Sequence, residues 1–318
     1  MKRRDFIKLS LGTLFWSFLP LNASAKTDSG YHIVLISDLH LPWRSKKFPE
    51  TKTGEKIFAQ KEAMLKHIKS WGDVEEAALL GDFPARYGNE TEFKSVDNFL
   101  SEMDKIPLKS YIAIGNHDYA YKGKTKGKLE QGTREEKLQK LNMFKERYKM
   151  PSLYYARSIG DYRLLYLAPD ACGNYLLELS SGQLDWLQAE ISNHQNAPII
   201  FFFHAPLMGT LKKYYKKINT PSATAQPANT LEKILQNAPK GSLWVSGHTH
   251  TPATNDSFAN DSVNRFNENI VNIHNPTLDG KNLWTNSLFL YDDRIVVRTF
   301  DHIKNSWLKN FDRVYLRK

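Results

Sequence analysis

One cysteine, Cys172, occurs in the 318 residues of the chain. No intramolecular disulfide can form, so stability must come from a packed core or from bound metal. Nothing around Cys172 matches a cysteine-enzyme signature, and a packed or loop cysteine is the simpler reading. The mostly apolar run Leu9 to Leu21 is too short to span a bilayer comfortably, which argues against a permanent anchor. After residue 26 there is no linker or break in composition, so one domain is expected. Acids are outnumbered, with 34 Asp and Glu against 44 Lys and Arg, a formal net charge of +10. That balance fits a phosphorylated substrate, nucleic acid or a membrane surface, and charge alone does not choose among them.

The first 25 residues read as a cleavable export signal. Lys2, Arg3, Arg4 and Lys8 give a basic start, the apolar run follows, and Ala23-Ser24-Ala25 supplies a cleavage pattern. Arg3-Arg4-Asp5-Phe6-Ile7-Lys8 resembles the twin-arginine signal, an ordinary Sec signal being the alternative. Either route places residues 26–318 in the periplasm or outside the cell. Cleavage removes four positive charges and one negative, leaving +7 on the domain.

Five polar motifs close apolar runs along the domain. Tyr31 to Ile36 ends in Ser37-Asp38-Leu39-His40, and Glu76 to Leu80 ends in Gly81-Asp82. Tyr111 to Ile114 ends in Gly115-Asn116-His117-Asp118, Pro198 to Phe203 in His204, and Leu243 to Ser246 in Gly247-His248-Thr249-His250. Helix-compatible stretches at 56–71 and 93–103 separate the first three runs, predicting βαβ units and a parallel sheet. Further helices are expected at Arg134 to Tyr148, at Ser181 to Ile191 with Ser181 as N-cap, and from Thr230 to Leu235. Hairpins are expected at 154–167 and at 287–299, the latter at an antiparallel sheet edge. The stretch 121–150 carries ten Lys and Arg against four acids. It suits a solvated helix or one that overhangs the central loop and attracts anions. Lys212-Lys213-Tyr214-Tyr215-Lys216-Lys217 interleaves bases with aromatics, a pattern of nucleic-acid binding as well as of solvated surface.

Chemistry collects where a chain leaves the carboxyl end of a parallel strand. Asp38 with His40 can share a cation, and the two oxygens of Asp82 can bridge two. Mixed carboxylate and imidazole donors suit Mn²⁺, Fe or Zn²⁺ better than Ca²⁺ or Mg²⁺. Two such ions generate a nucleophilic hydroxide at neutral pH and clamp an in-line phosphoryl displacement.

As an ordered set, Asp38-x-His40, Gly81-Asp82, Gly115-Asn116-His117-Asp118, His204 and Gly247-His248-x-His250 resemble the calcineurin-like metallophosphoesterases. The match frames residues 33–252. It implies an α/β fold, a four-layer α/β/β/α sandwich of two mixed sheets with the site on loops at one edge. It further implies that Asp38, His40, Asp82 and His250 hold one metal, and Asp82, Asn116, His204 and His248 a second. His117 takes the place of the substrate-contacting histidine, with Asp118 to orient it. His32, His67, His194, His274 and His302 match no motif position and read as structural or surface residues.

Two departures narrow the branch. Ala85 stands where purple acid phosphatases carry tyrosine, and Phe83-Pro84-Ala85-Arg86 lacks the Asp-Arg-Gly continuation of the protein phosphatases. The expected function is hydrolysis of small phosphomonoesters or phosphodiesters by a metal-activated hydroxide. An exported nuclease is the nearest alternative, and a silent binding scaffold is disfavoured because all seven ligand side chains and His117 are present. Replacing Arg3 and Arg4 together with lysine should block export if the twin-arginine route operates, read by cell fractionation; unchanged export would point to Sec.

Overall fold

A computed structural model describes residues 30–42, 52–212, 217–278 and 282–317. The export segment and residues 213–216 of the basic cluster lie outside the described residues. In chain order the first elements are β1 (Tyr31–Ile36), α1 (Lys52–Trp71), β2 (Val74–Leu79), α2 (Glu90–Met103) and β3 (Lys109–Ile112). Then come α3 (Asn116–Tyr119), β4 (Tyr121–Thr125), β5 (Lys128–Gln131), α4 (Arg134–Arg147), β6 (Tyr155–Ile159) and β7 (Tyr162–Tyr166). They are followed by α5 (Ser181–Asn193), β8 (Ile199–Phe202), α6 (Ala228–Leu235), β9 (Ser242–Ser246) and α7 (Asp261–Asn264). The chain closes with β10 (Ile270–His274), β11 (Trp284–Leu290), β12 (Arg294–Asp301), β13 (Ser306–Trp307) and β14 (Arg313–Leu316).

Strands β1, β2 and β3 pair in parallel, and β11 and β12 extend that sheet antiparallel from β1. Both β13 and β14 pair with β12. The second sheet runs β10-β9-β8-β7-β6, parallel except for β6. Along β1, Ile33 and Leu35 enter the core between the sheets, while Val34 and Ile36 pack among residues of α1 and α2. Along β8, Ile200 and Phe202 face the other sheet, and Ile199 and Phe201 pack with α5 and α6. Each central strand is therefore covered on both faces, which is why its sequence is continuously apolar rather than alternating. The layers are α/β/β/α. A one-residue slip would exchange the two faces, so burial fixes register.

Several expectations need correction. Ser180, not Ser181, caps α5, its hydroxyl accepting the Gln183 amide at 3.2 Å, the reach an N-cap oxygen has to the third helical amide. The hairpin at 287–299 lies inside its sheet, because β11 takes the free side of β1. The expectations lack β10, although Ile270 to Ile273 is mostly apolar, and the β4–β5 hairpin, where Lys122 to Lys128 has no apolar alternation for a strand signal. Helix α4 starts where expected, but two of its basic side chains are engaged rather than solvated: Lys137 donates to the Gly173 carbonyl, and Arg147 pairs with Glu90 and Asp97. Among the described residues no helix is long and apolar enough to cross a membrane.

The histidines outside the motifs are mostly packed. His32 stacks on Phe289 at 4.1 Å and meets Asp73 at 3.1 Å. His274 is fully buried with Nε2 2.9 Å from the Thr210 carbonyl, and burial pushes its pKa down to about 3. Burial likewise pushes His302 down to about 3. Both stay neutral in the fold while the unfolded chain takes up protons near pH ~6.5. Their stabilisation is thus complete above that pH and is lost as pH falls toward 3, at ~1.4 kcal/mol per pH unit for each. His274→Gln, which keeps an N–H for Thr210, should flatten the dependence of urea stability on pH between about 6 and 4; an unchanged slope would assign the acid sensitivity elsewhere.

Candidate metal centre

The carboxyl ends of β1, β2, β3, β8 and β9 bring all nine motif side chains to one edge of the sandwich. The loops are zipped to one another by backbone bonds: Asp38 N to Gly81 O at 3.1 Å, His40 N to Asp82 O at 3.0 Å, and Gly247 N to His204 O at 2.9 Å. Gly81 has φ 86°, and a Cβ there would collide with the backbone nitrogen of Gly115. A Cβ on Gly247 would strike the Ser37 hydroxyl. These glycines allow the strand ends to touch.

Three groups of ligand atoms lie within 4.8 Å of one another: Asp38, His40 and His250; His40, Asp82 and His117; and Asp82, His204 and His248. The first and third fall within the two ligand sets implied by the resemblance. Asp82 Oδ2 stands between them, 3.2 Å from His204 Nε2, 3.9 Å from His40 Nε2 and 4.0 Å from His117 Nε2. Asp38 Oδ1 lies 3.0 Å from His250 Nε2. Its other oxygen is held by the Ser37 hydroxyl at 2.5 Å and the His248 amide at 3.1 Å. Asp38 Oδ1, Asn116 Oδ1 and His204 Nε2 are buried and have no hydrogen-bond partner among the described residues. Orphaned buried donor atoms in a carboxylate–imidazole cluster are the signature of a site built for cations, so the residues fit the implied metals. His204 Nδ1 meets the Leu80 carbonyl at 2.6 Å, an arrangement that puts the proton on Nδ1 and frees Nε2 as a ligand.

A family model of the calcineurin-like phosphoesterases matches residues 31–252, most of the chain and every motif above. This chain belongs to that family. The matched span contains all five motifs whose side chains the fold gathers. Among solved structures, a purple acid phosphatase, PPD1, from yellow lupin (Lupinus luteus) seeds superposes with TM-score 0.59 at 11% identity, over 91% of this chain and 54% of that one. PhoD superposes with TM-score 0.56 at 10% identity, over 90% of this chain and 73% of that one. The chain thus spans about half the length of the lupin protein. At such identity the likeness concerns the fold. No curated protein matches in sequence. Ala85 is buried and has no hydroxyl to offer a metal.

Asp118 is placed differently from expectation. His117 Nδ1 meets the Arg86 carbonyl at 2.8 Å, so that carbonyl orients the ring. Asp118 instead accepts three backbone amides, from Gly115 at 2.6 Å, Asp82 at 3.0 Å and Phe83 at 2.9 Å. Its oxygens thus tie its own loop to the loop that carries Asp82. The contact of Arg86 is a backbone one and left no trace in side-chain motifs. Tyr121, whose ring centre is 4.9 Å from that of His117, was also missed.

Burial opposes ionisation of Asp38 and Asp82, yet His250 beside the first and His204 beside the second hold both well below the usual carboxylate range. Burial likewise works against a charged His204, but Asp82 raises it to about 9, whereas burial and the His204 charge lower His248 to about 3. Burial, then the Asp82 charge, pushes Asp118 up to about 7. A cleft of about 560 Å³ opens over the histidines, with Tyr121, Leu176, Lys217, Ser222 and Pro252 in its walls. A larger cleft of about 1150 Å³, beside Trp284 and Asp301, lies apart from these residues and holds no metal-ligating cluster among the described residues.

Asp118→Ala would leave three buried amides unpaired. With ~1–3 kcal/mol for each such group, a loss of about 3 kcal/mol or more is expected in denaturant unfolding of the metal-free protein. A loss below about 1 kcal/mol would show that Asp118 does not hold the loop.

Proposed function

We propose that this calcineurin-like phosphoesterase is an exported enzyme that hydrolyses small phosphomonoesters or phosphodiesters at a two-cation centre. The observation that carries the reading is the position of Asp82 Oδ2, in ligand contact distance of both histidine groups, with Asp38 Oδ1 serving the first. Asp38, His40, Asp82 and His250 would hold one ion, and Asp82, Asn116, His204 and His248 the other. Two bound cations supply Lewis acidity toward the phosphoryl oxygens and lower the pKa of water at neutral pH; Mn, Fe or Zn suits the donor set.

The chain's own groups complete the chemistry. With Nδ1 fixed by the Arg86 carbonyl, His117 turns Nε2 toward Asp82 and the cleft. From there it can hold the phosphoryl charge or pass a proton to the leaving oxygen. The cleft walls of Tyr121, Leu176 and Pro252 receive the leaving group, and Lys217 adds a positive charge at the rim. Lys217 is also what favours the nuclease as second reading, because it ends the basic cluster and lies in the cleft wall.

The test is hydrolysis of p-nitrophenyl phosphate and bis-p-nitrophenyl phosphate, metal-free and with Mn²⁺, Fe²⁺, Zn²⁺ or Mg²⁺. Metal-dependent turnover should fall by about 10²–10⁴-fold in His117→Ala and at least as far in Asp82→Asn. A folded, metal-loaded protein that turns over neither ester would sink the reading. The nuclease predicts salt-sensitive cleavage of nucleic acid that charge reversal at Lys212, Lys213, Lys216 and Lys217 abolishes; cleavage indifferent to those changes removes the cluster from that role.

A further inference from the structure

The basic segment after the central loop contains one lysine that bears on His117. Lys140, on α4, is half-buried and its Nζ donates to two carbonyls, that of Tyr87 at 2.6 Å and that of Tyr121 at 2.5 Å. These carbonyls sit on the two segments that frame the imidazole. Arg86, the neighbour of Tyr87, supplies the carbonyl that receives Nδ1–H, and Tyr121 follows the turn of α3 with its ring against His117. On the other side Glu92 Oε2 accepts the Tyr87 amide at 2.8 Å. Gly88 then presses on residue 118 so closely that a Cβ there would lie 2.6 Å from the Asp118 carbonyl oxygen. The 86–88 loop is thus held from three directions, and Lys140 ties it to the strand that leaves the site.

We propose that Lys140 is a positioning residue for His117: by pinning the Tyr87 and Tyr121 carbonyls it keeps the Arg86 carbonyl where it fixes the proton on Nδ1 and aims Nε2 at the metal centre. The inference rests on the phosphoesterase reading of that site. A cation is suited to the task because an ammonium carries three donors on a flexible stem and can serve two backbone segments at once. Released from that tie, the loop can shift, and a displacement of about 1 Å at a catalytic group costs on the order of 100-fold in rate.

The experiment compares Lys140→Met and Lys140→Arg with the wild type, each also in a His117→Ala background. Read-outs are kcat and KM on p-nitrophenyl phosphate with the best metal, metal content, and ¹⁵N–¹H correlation of the His117 ring. Lys140→Met should lower kcat by about 10- to 100-fold with KM and metal content unchanged, and Lys140→Arg should recover most of it. It should cost nothing further when His117 is already absent, since the two act as one unit. The ring correlation should change from an Nδ1–H tautomer to a mixture. An additive loss in the His117→Ala background, or a lowered melting temperature with kcat and tautomer intact, would overturn the proposal. If Lys140→Met fails to fold, Lys140→Gln, which keeps one donor arm, takes its place. Should the wild type hydrolyse no ester, the phosphoesterase reading falls, and the ring correlation still decides the role of Lys140.

Discussion

The centre depends on a reciprocal lock between two loops. Asp118 takes the amides of Gly115, Asp82 and Phe83, while Asp82 Oδ1 takes the amide of His117 at 2.7 Å. Each loop therefore holds the other's functional residue by a carboxylate-to-amide bond in a buried setting, where such bonds are strong and costly to break. Asp82 is left with one oxygen for the cluster, and its direction is set. Without that lock the carboxylate that stands between the two histidine groups would be free to turn.

The lock also bears strain. Asp38, His40, Asp82, His248 and His250 all have positive φ, between 45° and 63°, and they are five of the ten non-glycine residues that do so among those described. Each such conformation costs of order 1–3 kcal/mol and persists only where its surroundings over-determine it. Here the surroundings are the backbone bonds between loops and two sheets buried on both faces. The left-handed turn explains how a ligand can follow a strand and still point across the sheet edge rather than along it. Stability from the sandwich is being used to hold ligands in conformations they would not choose.

Electrostatics follow from the same crowding. Two ionised carboxylates, Asp38 and Asp82, lie among five imidazoles with almost no water access. The histidines keep the carboxylates charged, and the carboxylates divide the histidines, raising His204 while His248 stays neutral. Cations entering the cluster would take over the role that protonated imidazole plays without them. From the basic helix α4, Lys140 reaches the Tyr87 and Tyr121 carbonyls behind the cluster.

Much of this was legible in the sequence. The continuous apolar runs announced strands covered on both faces, because a strand with one wet face must alternate. The five motifs announced the site because each ends such a run, and the order of Asp, His and Asn residues matched one family. What the chain order could not announce were contacts made through the backbone. The Arg86 carbonyl on His117, the three amides on Asp118 and the Lys140 bridge to Tyr87 and Tyr121 join segments with no side-chain pattern to mark them. Nor could it place β11 beside β1, since antiparallel pairing across more than 250 residues leaves no local pattern in the chain. The sequence by itself determined which residues form the candidate centre and which strands deliver them. Only the tertiary structure decided what each one touches, because hydrogen bonds to peptide groups depend on where the backbone passes and not on which side chain it bears.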